Sequence, residues 1–242
     1  MFSKISNYFQ RRRKERFRRT LANAKAMKDD RWLALVAMGE EEDTEFAIAA
    51  LLSRFDYRLD NAILDTREKE QAIASIMNHP ADKTTALVKE HLRKVANIAW
   101  TVKILLKLTD AKDVFTCLCE CLDFSDINFD RAKIIKNYDI LCMLQDFDLS
   151  DLDRRFEQFL HDDDERVRFA AVELMIKQNA AHASEVLEQF LCDDSAENTR
   201  IRQLVLDAFI DQRWVVKYKK VFQRRGGKEL ANLQKNGVLY RR

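Results

Sequence analysis

One proline and four glycines stand in a chain of 242 residues. About 7% Gly and 5% Pro is usual, so both fall far below expectation. The turns of β-sandwiches and barrels need residues that tolerate positive φ or fix φ. A chain so poor in both excludes those folds. It also has no glycine-rich phosphate loop, and Gly226-Gly227 reads as a break after a basic helix. No stretch approaches the roughly 18 apolar residues of a membrane span. The opening MFSKISNYFQ runs straight into RRRKERFRR without an apolar signal region, so no secretory signal is expected. The five cysteines are an odd number without framework spacing. They read as free thiols of a reducing compartment, the cytoplasm.

What is present is helix. Hydrophobic residues make up 47% and charged residues 34%, a globular balance. Apolar residues recur at helical spacing almost from end to end. The periodicity predicts an all-α fold with helices near 29–39, 44–56, 65–78, 82–95, 96–108, 111–122, 129–145, 151–161, 164–178, 183–191, 198–211 and 213–225. In 44–56 the predicted apolar stripe is Phe46, Ala49, Ala50, Leu52 and Phe55. Pro80 marks a break between two helices.

The chain also repeats itself. Residues 156–163 read FEQFLHDD and residues 187–194 read LEQFLCDD, with six of eight positions identical at an offset of 31. After a three-residue insertion, Val167-Arg168 corresponds to Ile201-Arg202, and Leu174-Met175-Ile176 to Ala208-Phe209-Ile210. Endings HL at 91–92, CL at 121–122 and FL at 159–160 recur at 30 and 38 residues, a period in the range of helical solenoids.

On these residues the chain resembles the HEAT-repeat (armadillo-like) family. The carrying segment is DDDERVRFAAVEL at 162–174: an acidic turn, a Val-Arg pair, small residues, then Leu. ENTRIRQLVLDAF at 197–209 is a looser copy, and 29–150 lacks an intact acidic turn and Val-Arg pair. The resemblance implies a right-handed α-solenoid of about five to six stacked helix pairs, since one short pair cannot bury its apolar face alone. It implies little about function. Arg168 and Arg202 are expected to pair with acidic side chains of adjoining turns, such as Asp163 or Asp194.

Charge divides the chain into three. Residues 1–28 and 213–242 each hold ten Lys or Arg against one acid, +9 apiece. With +2 over the whole chain, −16 falls on 29–212. The sequence therefore reads as a basic N-terminal segment (1–28), an acidic HEAT-like solenoid (29–212) and a basic C-terminal helix and tail (213–242). Such ends attract polyanions without reading base sequence. The candidates for that contact are Arg11, Arg12, Arg13, Arg16, Arg18, Arg19, Lys219, Lys220, Arg224 and Arg225, with Tyr218, Phe222 and Tyr240 placed to stack on bases. Phe2, Ile5 and Phe9 share a helical face ahead of the polybasic block, a pattern for inserting into an anionic membrane surface. A third reading has the basic ends meet the acidic body in cis.

Catalytic constellations are not found. On a helix Cys117 and Cys121 share a face and Cys119 points almost opposite, so three ligands would not converge. Cys117, Cys119, Cys121, Cys142 and Cys192 read as core packing. None of His79, His91, His161 and His182 is followed by Glu, whereas iron-using HEAT-like hydroxylases carry repeated His-Glu pairs. Asp162, Asp163, Asp164 and Glu165 read as a helix cap. Helical-pair DNA base-excision enzymes use an Asp beside aromatics in a basic groove, and four residues after Trp100 stands Ile104. No metal and no cofactor are expected. The resulting expectation is a non-catalytic scaffold binding a macromolecule, foremost a protein, on a repeat face. A nucleic-acid-binding solenoid or base-excision enzyme, and a peripheral membrane adaptor, are the alternatives.

Overall fold

The computed structural model describes residues 2–124, 130–147, 154–178, 182–193, 195–227 and 230–241, with residues 2–9 by their backbone alone. The chain is all-helical apart from one small hairpin among the described residues. It divides into two compact units, 1–121 and 122–242.

The first unit holds α1 (Phe2–Leu21), α2 (Lys28–Gly39), α3 (Thr44–Leu52), α4 (Ala62–Ile76), α5 (Ala81–Lys94), α6 (Ala99–Leu108) and α7 (Ala111–Cys121). A 3-10 turn, Ser53–Asp56, prolongs α3. Helices α3 and α4 start where side chains supply acceptors for free N–H groups. Asp43 takes the N–H of Phe46 at 3.2 Å and Asn61 that of Leu64 at 2.9 Å. Pro80 stands just before α5, where its missing donor is harmless. Helices pack in alternation: α1 on α3, α3 on α5 and α5 on α7, with α2 on α4.

Helix α3 lies at the centre, against α1, α2, α4 and α5. That corrects the predicted stripe. Ala50, Leu52 and Phe55 are buried, but so are Ala47, Ile48 and Leu51, while Ala49 is exposed and Phe46 only partly covered. A helix covered on several sides loses its one-faced pattern. Truncating Ile48 or Leu51 to Ala would cost about 2–5 kcal/mol.

The second unit holds α8 (Arg131–Leu144), a 3-10 segment (Arg154–His161), α9 (Glu165–Lys177), α10 (Ala183–Leu191), α11 (Thr199–Asp211), α12 (Lys219–Phe222), and the antiparallel strands β1 (Asn232–Leu233) and β2 (Leu239–Tyr240). Asp164 caps α9, accepting from the N–H of Arg166 at 2.9 Å. The repeated segments share their burial. Phe156, Phe159 and Leu160 match Leu187, Phe190 and Leu191, Val167 matches Ile201, and all are buried. The two copies differ in winding, 3-10 in the first and α in the second.

Two segments depart from expectation. The basic N-terminus carries a 20-residue helix, α1, extending well beyond the helical face read for Phe2, Ile5 and Phe9. The predicted helix 213–225 forms only in its second half. Arg213 adopts φ 55° and turns the chain, Trp214 packs edge-on against Phe209 at 5.3 Å, and Val215 bridges Val238 of the hairpin. Helix resumes only at Lys219–Phe222, followed by a π turn, Gln223–Gly227. A Cβ on Gly227 would meet the Phe222 carbonyl at 2.5 Å, and Gly237 takes φ 94° in the hairpin turn.

Candidate polyanion interface

Helix α1 gathers the N-terminal basic candidates. Arg11, Arg12, Arg13, Arg16, Arg18 and Arg19 are all exposed. Arg12, Arg16 and Arg19 follow i, i+4, i+7 spacing and line a hollow of about 510 Å³ with Thr20 and Asn23. Arg11 and Lys14 line another of about 860 Å³ with Asp43 and Phe46 of the α3 start. Glu15 is the acid of this face. The hydrogen bond from Arg18 holds its carboxyl below the usual range. Arg13 lies over the Phe17 ring at 5.4 Å. The helix is fastened to its unit: Tyr57 Oη donates to the Leu21 carbonyl at 2.8 Å, and Lys14 pairs with Glu41. Phe2, Ile5 and Phe9 belong to α1 by backbone, and their side chains lie outside the described residues.

The C-terminal candidates sit in the second unit. Lys220, Arg224 and Arg225 are exposed, and Lys219 is partly covered, its Nζ donating to the Lys235 carbonyl at 2.6 Å. Tyr218 (64% exposed) and Tyr240 (42%) are open to solvent with Val215 and Val221. Strand alternation puts Val238 and Tyr240 on one face and buries Leu239 on the other. Phe222 is fully buried, so it anchors α12 and has no face for a base.

Among the described residues Arg168 and Arg202 bond main-chain carbonyls, and Arg168 takes the carbonyl of Asp163 where its side chain was expected. Arg168 Nη1 donates to the carbonyls of Asp162 (2.7 Å) and Asp163 (3.0 Å). Arg202 reaches the carbonyl of Leu191 at 3.2 Å and that of Arg225. The guanidinium satisfies carbonyls left open where a helix ends. Asp194 lies outside the described residues.

Among the described residues no group of three or more His, Cys, Asp or Glu gathers in metal-binding geometry. Cys117 is buried on α7. A hydrogen bond from Cys121, aided by the charge of Arg93, brings its thiol down to about 7 against the effect of burial. Burial pushes the Cys142 and Cys192 thiols up. No described helix is long and apolar enough to cross a membrane.

Sequence reasoning missed a set of buried charges in the first unit. Arg31, Arg54, Asp65, Glu68 and Lys69 are each 6% exposed or less. Arg31 and Arg54 both grip Glu68, Arg54 also holds Asp65 at 2.8 Å, and Lys69 reaches Asp65 Oδ2 at 2.8 Å. The signal was there: Asp65, Glu68 and Lys69 continue the helical face of Ala72, Ile73 and Ile76, and Arg54 interrupts the apolar run AALLSRF. Asp65 and Trp100 also line one cleft, an Asp–aromatic pairing made across helices instead of along one. Burial would raise the Asp65 carboxyl, but bonds from Lys69, Arg54 and the Leu59 N–H outweigh it and hold it low.

The chain matches no family model, no curated protein and no solved structure.

Proposed function

We propose that the chain is a non-catalytic interaction scaffold, a HEAT-like right-handed solenoid of stacked helix pairs that binds a macromolecular partner and grips polyanions through its basic ends. The alternating packing of α1, α3, α5 and α7, with α2 on α4, supports the stacking. So does the shared burial of the repeated segments around α9 and α11. The observation that carries the polyanion reading is the exposure of all six arginines of α1 on a helix fastened by Tyr57 and Lys14. Long cations held in an ordered row lose less entropy on meeting phosphates than a free tail does. Attraction of this kind releases counterions and is insensitive to base sequence.

Fluorescence anisotropy with labelled single-stranded RNA and DNA, and co-sedimentation with anionic vesicles, test the reading across a salt series. Affinity should fall steeply as salt rises. Replacing Arg11, Arg12, Arg13, Arg18 and Arg19 with Ala should weaken binding and flatten the salt slope. Replacing Phe2, Ile5 and Phe9 with Ser should touch vesicle binding alone, because apolar insertion acts only there. If the wild type binds neither nucleic acid nor vesicles near 0.1 M salt, where screening acts over about 10 Å, the polyanion reading fails.

A further inference from the structure

The buried charges of the first unit do not cancel. Arg31, Arg54 and Lys69 bring three positive charges against the two carboxylates of Asp65 and Glu68. The carboxylates are fully used: Glu68 takes Arg31 on both oxygens and Arg54 on Oε2, while Asp65 takes Arg54 and the Leu59 N–H on Oδ1 and Lys69 on Oδ2. The donors are not. An ammonium carries three N–H groups, and among the described residues Lys69 Nζ has Asp65 as its hydrogen-bond acceptor. Lys69, 4% exposed, is the cation of this set that keeps N–H groups to offer, beyond its bond to Asp65. Buried N–H groups that lack an acceptor are costly, so a further acceptor is favoured there.

Lys69 lies at the edge of an open space. With Asp65 it lines a cleft of about 450 Å³ between the end of α3, the face of α4 and the start of α6. That volume suits a small organic molecule. Trp100 forms one wall. Its half-buried ring is held by Phe55 at 6.1 Å and flanked by Lys69 at 5.7 Å and Lys103 at 4.9 Å. The rim carries exposed Arg58 and Asn97, together with Asp56, which faces His91 Nε2 at 3.4 Å. A flat wall, a buried cation with spare donors and a second cation at the mouth converge on one space.

We infer that this cleft binds a small anion carrying a flat ring, its charge drawn to Lys69 and Arg58 and its ring laid against Trp100. Nucleoside monophosphates and aromatic carboxylates share that chemistry. The inference stands apart from the polyanion reading, since none of the α1 arginines is in the cleft.

Trp100 itself reports binding. In the full chain carrying Trp32→Phe and Trp214→Phe, its fluorescence is titrated with adenosine monophosphate, benzoate, adenosine and inorganic phosphate. A saturable change with adenosine monophosphate or benzoate, at least about tenfold tighter than with adenosine or phosphate, is the expected result. The tighter of the two names the source, phosphate ester or carboxylate, and either supports the site. Lys69→Met should weaken binding about tenfold or more, and Arg58→Ala about threefold or more. Arg58 is exposed, so its loss leaves the fold intact and the test stands even where Lys69→Met unfolds the chain, which circular dichroism reports. No saturable change up to about 5 mM of any probe, or an affinity unchanged by Arg58→Ala, overturns the inference.

Discussion

Arg31 and Arg54, 23 positions apart on α2 and the turn after α3, close on one oxygen: Glu68 Oε2 accepts from the Nε of Arg31 at 2.9 Å and from the Nε of Arg54 at 2.8 Å. One carboxylate on α4 thus ties α2 and the end of α3 to a third helix. Tyr57, stacked on Arg54 at 4.5 Å and bonded to the Leu21 carbonyl, extends the tie to α1. The basic helix and the buried charges are one mechanical assembly.

Glu68→Gln should therefore destabilise the first unit strongly. It leaves three buried cations against one carboxylate. Removing one partner of a buried ion pair costs about 3–5 kcal/mol. Urea unfolding followed by circular dichroism measures it. The exposed pair Arg93–Glu120, 2.9 Å apart, is the control, and Glu120→Gln should leave the midpoint unmoved within error. A Glu68→Gln midpoint equal to that control would refute the central role of the network.

Asp65 sets an acid limit. Burial pushes its folded carboxyl up, but Lys69, Arg54 and the Leu59 N–H favour the charged form more strongly, so it titrates below the ordinary 3.8. A lowered folded pKa gives stability that is present above the unfolded value and lost as pH falls through the folded one. The wild type should hold its urea midpoint down to about pH 4 and lose it below. Asp65→Asn should start lower at neutral pH and show a shallower fall over the same range.

Helix was readable from the chain because apolar spacing, a near absence of proline and glycine, and an acidic cap such as Asp164 all act locally. The failures share a different cause. At Arg213 a left-handed backbone reverses the chain, and the pairing of Val215 with Val238, 23 residues on, converts a helical pattern into hairpin. Phe222 looked like a stacking residue because it stands between Lys220 and Arg224, yet tertiary packing buries it. The exposed arginines of α1 could be named from composition alone. Arg54 and Glu68 stand out as charges on apolar faces, but which partner each takes, and that Arg31 joins them, is set by pairings across 37 and 14 residues that no local pattern specifies.

The repeated arginines offer a sharper test of the repeat. Arg168 bonds the Asp162 and Asp163 carbonyls, not a carboxylate side chain. Arg168→Ala should cost about 1.5–3 kcal/mol, as for hydrogen bonds to a charged group. Asp163→Ala keeps the carbonyl and should be close to neutral by thermal melt. Equal losses in both variants would restore the side-chain pairing.

Glu188 provides the opposite pH signature in the second unit. It is 1% exposed, and Oε1 accepts the Tyr218 N–H at 2.6 Å, which pins the chain ahead of α12. Burial pushes its carboxyl above the ordinary 4.5 despite the N–H groups of Tyr218 and Lys217. A raised folded pKa means that the folded state holds the proton more tightly than the unfolded chain. Its contribution is complete below the unfolded pKa and is lost as pH rises through the folded one. At neutral pH the wild type therefore carries the strain of a buried charge. An amide at this position keeps an oxygen for the Tyr218 N–H and removes that charge. Glu188→Gln should be at least as stable as the wild type at pH 7, and its advantage should close as the pH drops toward 4.5, where the protonated carboxyl and the amide become alike. Differential scanning calorimetry at a series of pH values reads both curves. A Glu188→Gln variant that is less stable than the wild type at pH 7, with the gap closing on acidification, would show that the negative charge itself holds the Tyr218 N–H.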